Sequence, residues 1–170
     1  MPLKISLDAL SPSSVKDAID KLEKYKTDLP RKAKLIVERL ASMGALNASL
    51  GFSRAIYNGD KNISVTTKWV NSTTIAIIAS GETVLFVEFG AGITYGYGHP
   101  EAGKHGMGPG TYPSDKGKWN DPKGWFYTDD SGNATQHSYG NPPNAVMYST
   151  RKELLKEVKR VAREVFASGQ

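Results

Sequence analysis

The chain is organised around the stretch Thr83-Val-Leu-Phe-Val-Glu-Phe-Gly-Ala-Gly92. Its residues 84–89 are apolar apart from one charge, Glu88. A block this apolar has to be covered on more than one face, so we expect other elements to pack around it. Periodicity does not separate a fourth strand of a sheet from a short buried helix in so short a run. We favour a short helix that ends at Gly90.

Directly after this apolar block, the sequence becomes rich in glycine and aromatic residues. Twelve of the 17 glycines, all three histidines and two of the three tryptophans lie between Gly90 and Gly140. Loops longer than about 12–15 residues in a compact domain are usually functional or disordered. This segment is too rich in aromatic residues for a simple linker. We therefore predict an extended loop or arm at residues 90–142 that orders against another surface.

Length and composition predict one domain over residues 1–170. No apolar run is long enough for a membrane span, and the sequence has no signal-peptide core, so we expect neither membrane insertion nor export by that route. The absence of cysteine excludes disulfides and thiolate metal sites. The formal net charge is +5, and the excess of Lys and Arg falls on the two terminal segments.

Upstream of the apolar block, the sequence predicts a long amphipathic helix. Serines at 11–14, with Asp17 following, are typical of a helix start. Pro30 predicts a kink or break, because proline lacks an N–H and clashes with the preceding turn. Gly44 is a candidate C-terminal stop, although the helix could continue through Ala45 and Leu46.

After the helix, apolar residues recur at the shorter period of a β-strand, which predicts an antiparallel meander of three to four strands. The first strand begins at Phe52 and leads into a turn at Asn58-Gly-Asp60. The next two strands are residues 63–70 and 73–79, which are rich in β-branched residues.

The residues from 124 onward predict a hairpin followed by a C-terminal helix. Residues 124–127 and 135–139 have the composition of two short paired strands. Pro143 is suited to the first turn of a helix whose apolar positions repeat to the C-terminus. The predicted fold is α+β: a kinked N-terminal helix, a meander, a long arm rich in glycine and aromatic residues, and a C-terminal helix.

The residues that could carry chemistry match no catalytic pattern. The three histidines, His99, His105 and His137, lack the spacing of a metal site. Glu88 could be a general acid in apolar surroundings, or a structural carboxylate paired with an arginine or with backbone N–H groups of the following turn. We favour the structural role, and we predict no catalytic residue, no metal and no cofactor.

The aromatic residues of the arm favour a protein contact over a nucleic-acid groove. Protein interfaces are enriched in aromatic residues, and the lysines of the arm do not cluster as a single-strand groove requires. The alternative is a nucleic-acid-binding module that uses the basic terminal helices. Our candidate subunit or partner contacts are Tyr95, Tyr97, His99, Trp119, Trp125, Phe126 and Tyr127.

Several stretches together resemble one known family, and their order carries the resemblance. The stretch Phe86-Val-Glu-Phe-Gly-Ala-Gly-Ile93 is similar to its Glu-Phe-Gly-Thr-Gly signature, with Ala91 in place of the commoner threonine. Residues 98–103, 124–127 and 140–147 follow in a similar order and spacing, although Asn144-Ala145 departs from the usual residues before the last helix. The family is the gene-product-ten head–tail joining family of tailed bacteriophages, also called neck, minor capsid or tail-completion proteins. The signature positions are Glu88, Phe89, Gly90, Gly92 and Pro143.

The resemblance implies a structural virion protein that is not an enzyme. Members of the family act in the neck, or at the head-proximal tail end, of long-tailed phages and are made in the host bacterial cytoplasm. The implied partners are further copies of the chain in a homo-oligomeric ring, the connector or head-completion proteins, and the tail-tube or tail-terminator proteins. The basic helices would face the lumen, where DNA passes.

Overall fold

The computed structural model describes residues 11–57, 59–92, 95, 98–107, 122–128, 132 and 135–168. The architecture is mixed α and β, with two long helices and two small antiparallel hairpins. None of the described helices is long and apolar enough to cross a membrane.

Helix α1 (Pro12–Arg54) is 43 residues long. Ser11 is its N-cap and its hydroxyl accepts a hydrogen bond from the Ser14 N–H, so the helix begins within the predicted serine run. Both Pro30 and Gly44 lie inside the helix, so it neither breaks at Pro30 nor stops at Gly44. It continues through Ala45 and Leu46, which was the alternative left open from the sequence, and the kink at Pro30 stays a prediction. Gly44 lies where Ile77 and Leu154 approach the helix, and its missing side chain leaves room for them.

Two strands follow, and they form a single hairpin. Strand β1 (Ser64–Asn71) pairs antiparallel with β2 (Thr74–Ser80), with Thr67 opposite Ile77. These are two of the predicted meander strands. The predicted first strand is wrong, because Phe52 lies on the last turns of α1 and packs in the core. The described residues contain no third strand in this sheet.

The apolar block forms helix α2 (Val84–Phe89), as favoured from the sequence. Gly90 follows it with φ of 81° and its N–H donates to the Phe86 carbonyl. This φ lies in the region that favours glycine, which explains why the helix ends there.

Beyond α2 the chain passes a short 3-10 helix (Ala102–His105) and a second hairpin of β3 (Trp125–Thr128) and β4 (Thr135–Ser138). This hairpin is the one predicted from the sequence. Positions 93–94, 96–97, 108–121, 129–131 and 133–134 of the predicted arm lie outside the described residues, so its extended course stays a prediction. Helix α3 (Val146–Ala167) begins three residues after Pro143, which therefore precedes the first turn and does not lie in it.

Helices α1 and α3 pack side by side in opposite directions. Val146 lies against Gly51 near the end of α1, and the Lys32 ammonium lies 5.3 Å from the ring of Phe166 near the end of α3. The residues of α1 before Lys32 therefore extend past the described end of α3. The core is a cluster around Val87 of α2, which is fully buried, and its other members are Ala48, Phe52, Ala55 and Val146.

Candidate functional site

Glu88 is the buried charge in the centre of the fold. It lies on the last turn of α2 next to Val87, and only 5% of its surface is exposed. A carboxylate removed from water has to be compensated by hydrogen-bond donors or by a positive charge. Its partners therefore decide its role.

Two of the donors are backbone groups at the start of α3. The Met147 N–H donates to Glu88 Oε2 at 2.8 Å, and the Tyr148 N–H donates to Oε1 at 3.1 Å. The first N–H groups of a helix lack partners within the helix and carry a partial positive charge. The N-cap of α3 is Ala145, whose side chain cannot accept a hydrogen bond. Glu88 therefore caps α3 from a distant part of the chain.

The third donor is the imidazole of His99. Its Nε2 lies 3.2 Å from Glu88 Oε1, and its side chain is 3% exposed. The ring packs against Phe89, with centroids 4.4 Å apart, and against Tyr148 at 5.7 Å. Its Nδ1 accepts the Glu101 N–H at 3.1 Å, so the proton of the neutral ring is on Nε2 and points to Glu88.

The glycines of the signature let the backbone after α2 lie directly against residues 141–143. Ala91 and Asn141 exchange two backbone hydrogen bonds of 2.9 Å. A Cβ at Gly90 would lie 2.7 Å from the Pro143 nitrogen and 2.8 Å from the Asn141 carbonyl oxygen. A side chain at Gly90 would therefore force the two segments apart.

Two asparagines, Asn141 and Asn144, stabilise the same contact between α2 and residues 141–143, and neither was among the predicted site residues. The Asn141 side chain donates to the Phe86 carbonyl at 2.8 Å. Asn144 bonds to α2 and to the end of α1: its backbone N–H donates to the Val87 carbonyl, and its Oδ1 accepts the Ile56 N–H at 2.7 Å. In the sequence, these asparagines flank two prolines just before a helix, and this Asn-Pro-Pro-Asn pattern could have indicated the contact.

This arrangement is suited to holding the fold together. A carboxylate beside a histidine occurs in nucleophilic sites, where the other ring nitrogen faces a reacting group. Here the Glu101 N–H occupies that nitrogen. The described residues also contain no group of three or more side chains that could hold a metal ion. We refer to Glu88, His99 and the start of α3 as the Glu88 junction.

The predicted contact residues fall into different environments. His99 belongs to the Glu88 junction and Trp125 is 9% exposed, whereas Tyr95 and Phe126 are exposed by 49% and 70%. Tyr127 lies in β3, and Tyr97 and Trp119 lie outside the described residues. The contact role stays a prediction, and among the candidates whose side chains the structure describes, Tyr95 and Phe126 are those that a partner could reach directly.

An aromatic recess of about 510 Å³ lies beside these residues. Tyr57, Tyr95, Trp125 and Tyr139 line it, together with backbone of residues that dock onto α2. Tyr139 is 56% exposed, and its ring packs against His137 with centroids 4.5 Å apart. The recess offers flat aromatic faces of the kind that protein contacts use.

A second, more apolar groove of about 600 Å³ lies on the other side of α2, between β2 and α3. Leu40, Ile77 and Leu154 line it, and Leu155 lines it while remaining 65% exposed. We refer to it as the β2–α3 groove.

A small charged cluster closes one end of this groove. Glu101 accepts hydrogen bonds from Lys104 at 3.1 Å and from Arg151 at 3.2 Å. The hydrogen bond from Lys104, together with the positive charges of Lys104 and Arg151, holds the pKa of the Glu101 carboxyl below its ordinary value. The cluster therefore stays ionised at neutral pH and ties the 3-10 helix to α3.

The geometry describes a rigid junction between two open surfaces. Comparison with known proteins found no matching family model, no similar curated protein and no similar solved structure.

Proposed function

We propose that the chain is a structural subunit of the neck of a long-tailed bacteriophage, where it assembles as a ring and joins the head connector to the tail. The proposal starts from the resemblance to the gene-product-ten head–tail joining family. In this role the chain binds other proteins and catalyses no reaction. Its partners are further copies of itself, connector or head-completion proteins, and tail-tube or tail-terminator proteins.

The observation that carries the proposal is that the four stretches of the resemblance meet in space. Glu88 of the first stretch contacts His99 of the second and Met147 of the fourth. A Cβ at Gly92 would lie 3.2 Å from the ring of Trp125, which belongs to the third. Motifs that are distant in sequence but contact one another are expected if a family preserves one scaffold. This convergence supports the resemblance as a likeness of fold.

The exposed apolar side chains give the proposal a second support. Ile56, Phe126 and Leu155 are each at least 65% exposed. Single exposed apolar residues are ordinary, but here Ile56 lines the aromatic recess and Leu155 lines the β2–α3 groove. Subunits of a ring need such surfaces on two sides, because each copy contacts two neighbours.

Three of the six basic residues of α3 are engaged within the chain, which weakens the nucleic-acid alternative at those positions. Arg160 donates to both Glu157 and Glu164, and Arg151 donates to Glu101. The Lys152 ammonium lies 5.5 Å from the ring of Tyr148. Cations that are paired within the chain attract phosphates less strongly than free ones. In the proposed ring, the basic helices make at most passing contacts with DNA in the lumen.

A binding experiment with two kinds of immobilised ligand tests the proposal. We expect the chain to bind a connector or tail-tube protein of a long-tailed phage. Phe126→Ala is expected to weaken this binding at least tenfold if Phe126 is an anchor of the contact. Thr66→Ala, on the exposed face of β1, is the matched control and should bind as the parent chain does.

The second ligand is duplex DNA at increasing salt concentration. The proposal expects weak binding that does not depend on Phe126. Failure to bind either phage protein, together with DNA binding that falls steeply with salt, would replace the proposal with the nucleic-acid module.

A further inference from the structure

The β2–α3 groove is an apolar groove whose two walls are not covered by another element of the described chain. Ile75, Ile77 and Ala79 of β2 line one wall, Leu154 and Val158 of α3 line the other, and no residue of β1 contributes. Ile77 and Leu154 both approach Gly44, and Val84 and Phe89 of α2 line the groove as well. Leu155 and Val158 remain exposed by 65% and 40% on its rim.

The sheet beside the groove is also incomplete. Among the described residues, β2 pairs with β1 and with no other strand. A two-stranded hairpin is marginally stable by itself, and a free edge presents unpaired N–H and C=O groups to any strand that can reach it. The groove therefore combines an open strand edge with an apolar wall that could bury one face of an added strand.

The chain contains a segment with the matching pattern. Residues 3–9 read Leu-Lys-Ile-Ser-Leu-Asp-Ala, in which apolar and polar residues alternate strictly. This alternation is typical of a strand with one buried face and one exposed face. Its apolar positions are Leu3, Ile5, Leu7 and Ala9.

The length of α1 prevents this segment from reaching the groove of its own chain. Leu40 is the groove residue of α1, and it lies about 44 Å along the helix axis from Ser11 at 1.5 Å per residue. Even in a fully extended chain, Leu3 lies at most about 28 Å from Ser11. At this distance residues 3–9 fall short of Leu40 in their own chain, so an occupant with this sequence at Leu40 comes from another molecule.

We propose that residues 3–9 of a second copy of the chain enter the β2–α3 groove and pair with the free edge of β2. This inference rests on the proposed ring assembly and identifies one of its contacts. The donor surface differs from the acceptor surface, so the contact is heterologous and continues from copy to copy until a ring closes. Long projecting helices would then connect neighbouring subunits.

Cysteine cross-linking tests this contact, because the natural sequence contains no cysteine. One preparation carries Ile5→Cys and the other carries Leu155→Cys, each with a different affinity tag. After mixing under denaturing conditions, refolding and oxidation, we expect disulfide-linked pairs that contain both tags. The control pairs Ile5→Cys with Thr66→Cys, an exposed position on β1 away from the groove, and should give almost no linked pairs.

Deletion of residues 3–9 provides the second measurement. It leaves the Ser11 cap and the core intact, so we expect a folded protein whose oligomer is lost. An oligomer that survives the deletion and gives no Ile5–Leu155 link would overturn this inference and leave the ring proposal standing. A chain that forms no oligomer before the deletion, alone or with its phage partners, removes both. A chain with both cysteines that links only within itself also overturns the exchange.

Discussion

At the scale of single residues, the Glu88 carboxylate joins groups that are far apart in sequence. It accepts hydrogen bonds from His99 and from the backbone of Met147 and Tyr148. The sequence identified this residue as a buried acid and left its partner open between an arginine and the backbone of the following turn. The partners turned out to be backbone groups of a later helix. No local pattern specifies such a pairing, because it depends on how α2 and α3 meet.

We predict that Glu88→Ala lowers the free energy of unfolding by about 2–4 kcal/mol, because it leaves buried N–H groups at the start of α3 without acceptors. Glu88→Gln keeps one acceptor oxygen and should cost roughly 2 kcal/mol. Urea denaturation followed by circular dichroism measures both. Glu82→Gln, an exposed acid just before α2, is the control and should change stability by less than about 0.5 kcal/mol. Equal effects at Glu82 and Glu88 would argue against the Glu88 junction.

Three Gly→Ala substitutions distinguish the loss of stability that comes from backbone strain from the loss that comes from steric clashes. Gly103→Ala should be nearly neutral, since its Cβ meets nothing within 4 Å and its φ is not positive. Gly106→Ala has open space but a φ of 69°, so we expect a loss of about 1 kcal/mol. Gly90→Ala combines positive φ with contacts to the backbone of residues 141–143 and should lose more than about 2 kcal/mol. Thermal denaturation of the three variants gives the order, and a Gly90 variant as stable as the Gly103 variant would contradict the close contact.

At the scale of elements, the sequence predicted most helices and strands, but it did not predict how far α1 continues. Strands β1 and β2, the short helix α2 and the β3–β4 hairpin were expected, because alternation, turn residues and Gly90 act locally. The continuity of α1 was left open at Pro30 and Gly44 and was missed at Phe52. Gly44 and Phe52 remain helical because tertiary packing outweighs local propensity: Gly44 accommodates β2 and α3, and Phe52 packs on α2 and α3.

Pro30, which lies inside α1, allows a prediction about the stability of this helix. Pro30 removes one helical hydrogen bond, so Pro30→Ala should increase helix content and stabilise the chain by about 1–3 kcal/mol. Pro12 is the matched control, because a proline on the first turn removes no helical bond and Pro12→Ala should give no gain. Circular dichroism at 222 nm with thermal denaturation compares the two variants. An unchanged or lower stability of the Pro30 variant would show that α1 is broken at that residue in solution.

At the scale of the whole molecule, the fold is a long helical spine with two hairpins and a rigid junction, bordered by the aromatic recess and the β2–α3 groove. The sequence indicated the class of fold and the signature residues that meet in the junction. It did not indicate the two concave surfaces, because each is made by elements that are distant in sequence. The proposed function assigns those surfaces to neighbouring subunits and neck proteins.

The central claim is ring assembly, and the most direct test is the mass of the purified chain in solution. Light scattering coupled to size-exclusion chromatography measures this mass across a concentration series, alone and with connector or tail-tube protein. Ring assembly predicts one defined high-order multiple of the 18.5 kDa chain in at least one of these conditions. A mass of 18.5 kDa at every concentration, with either partner present, would contradict it.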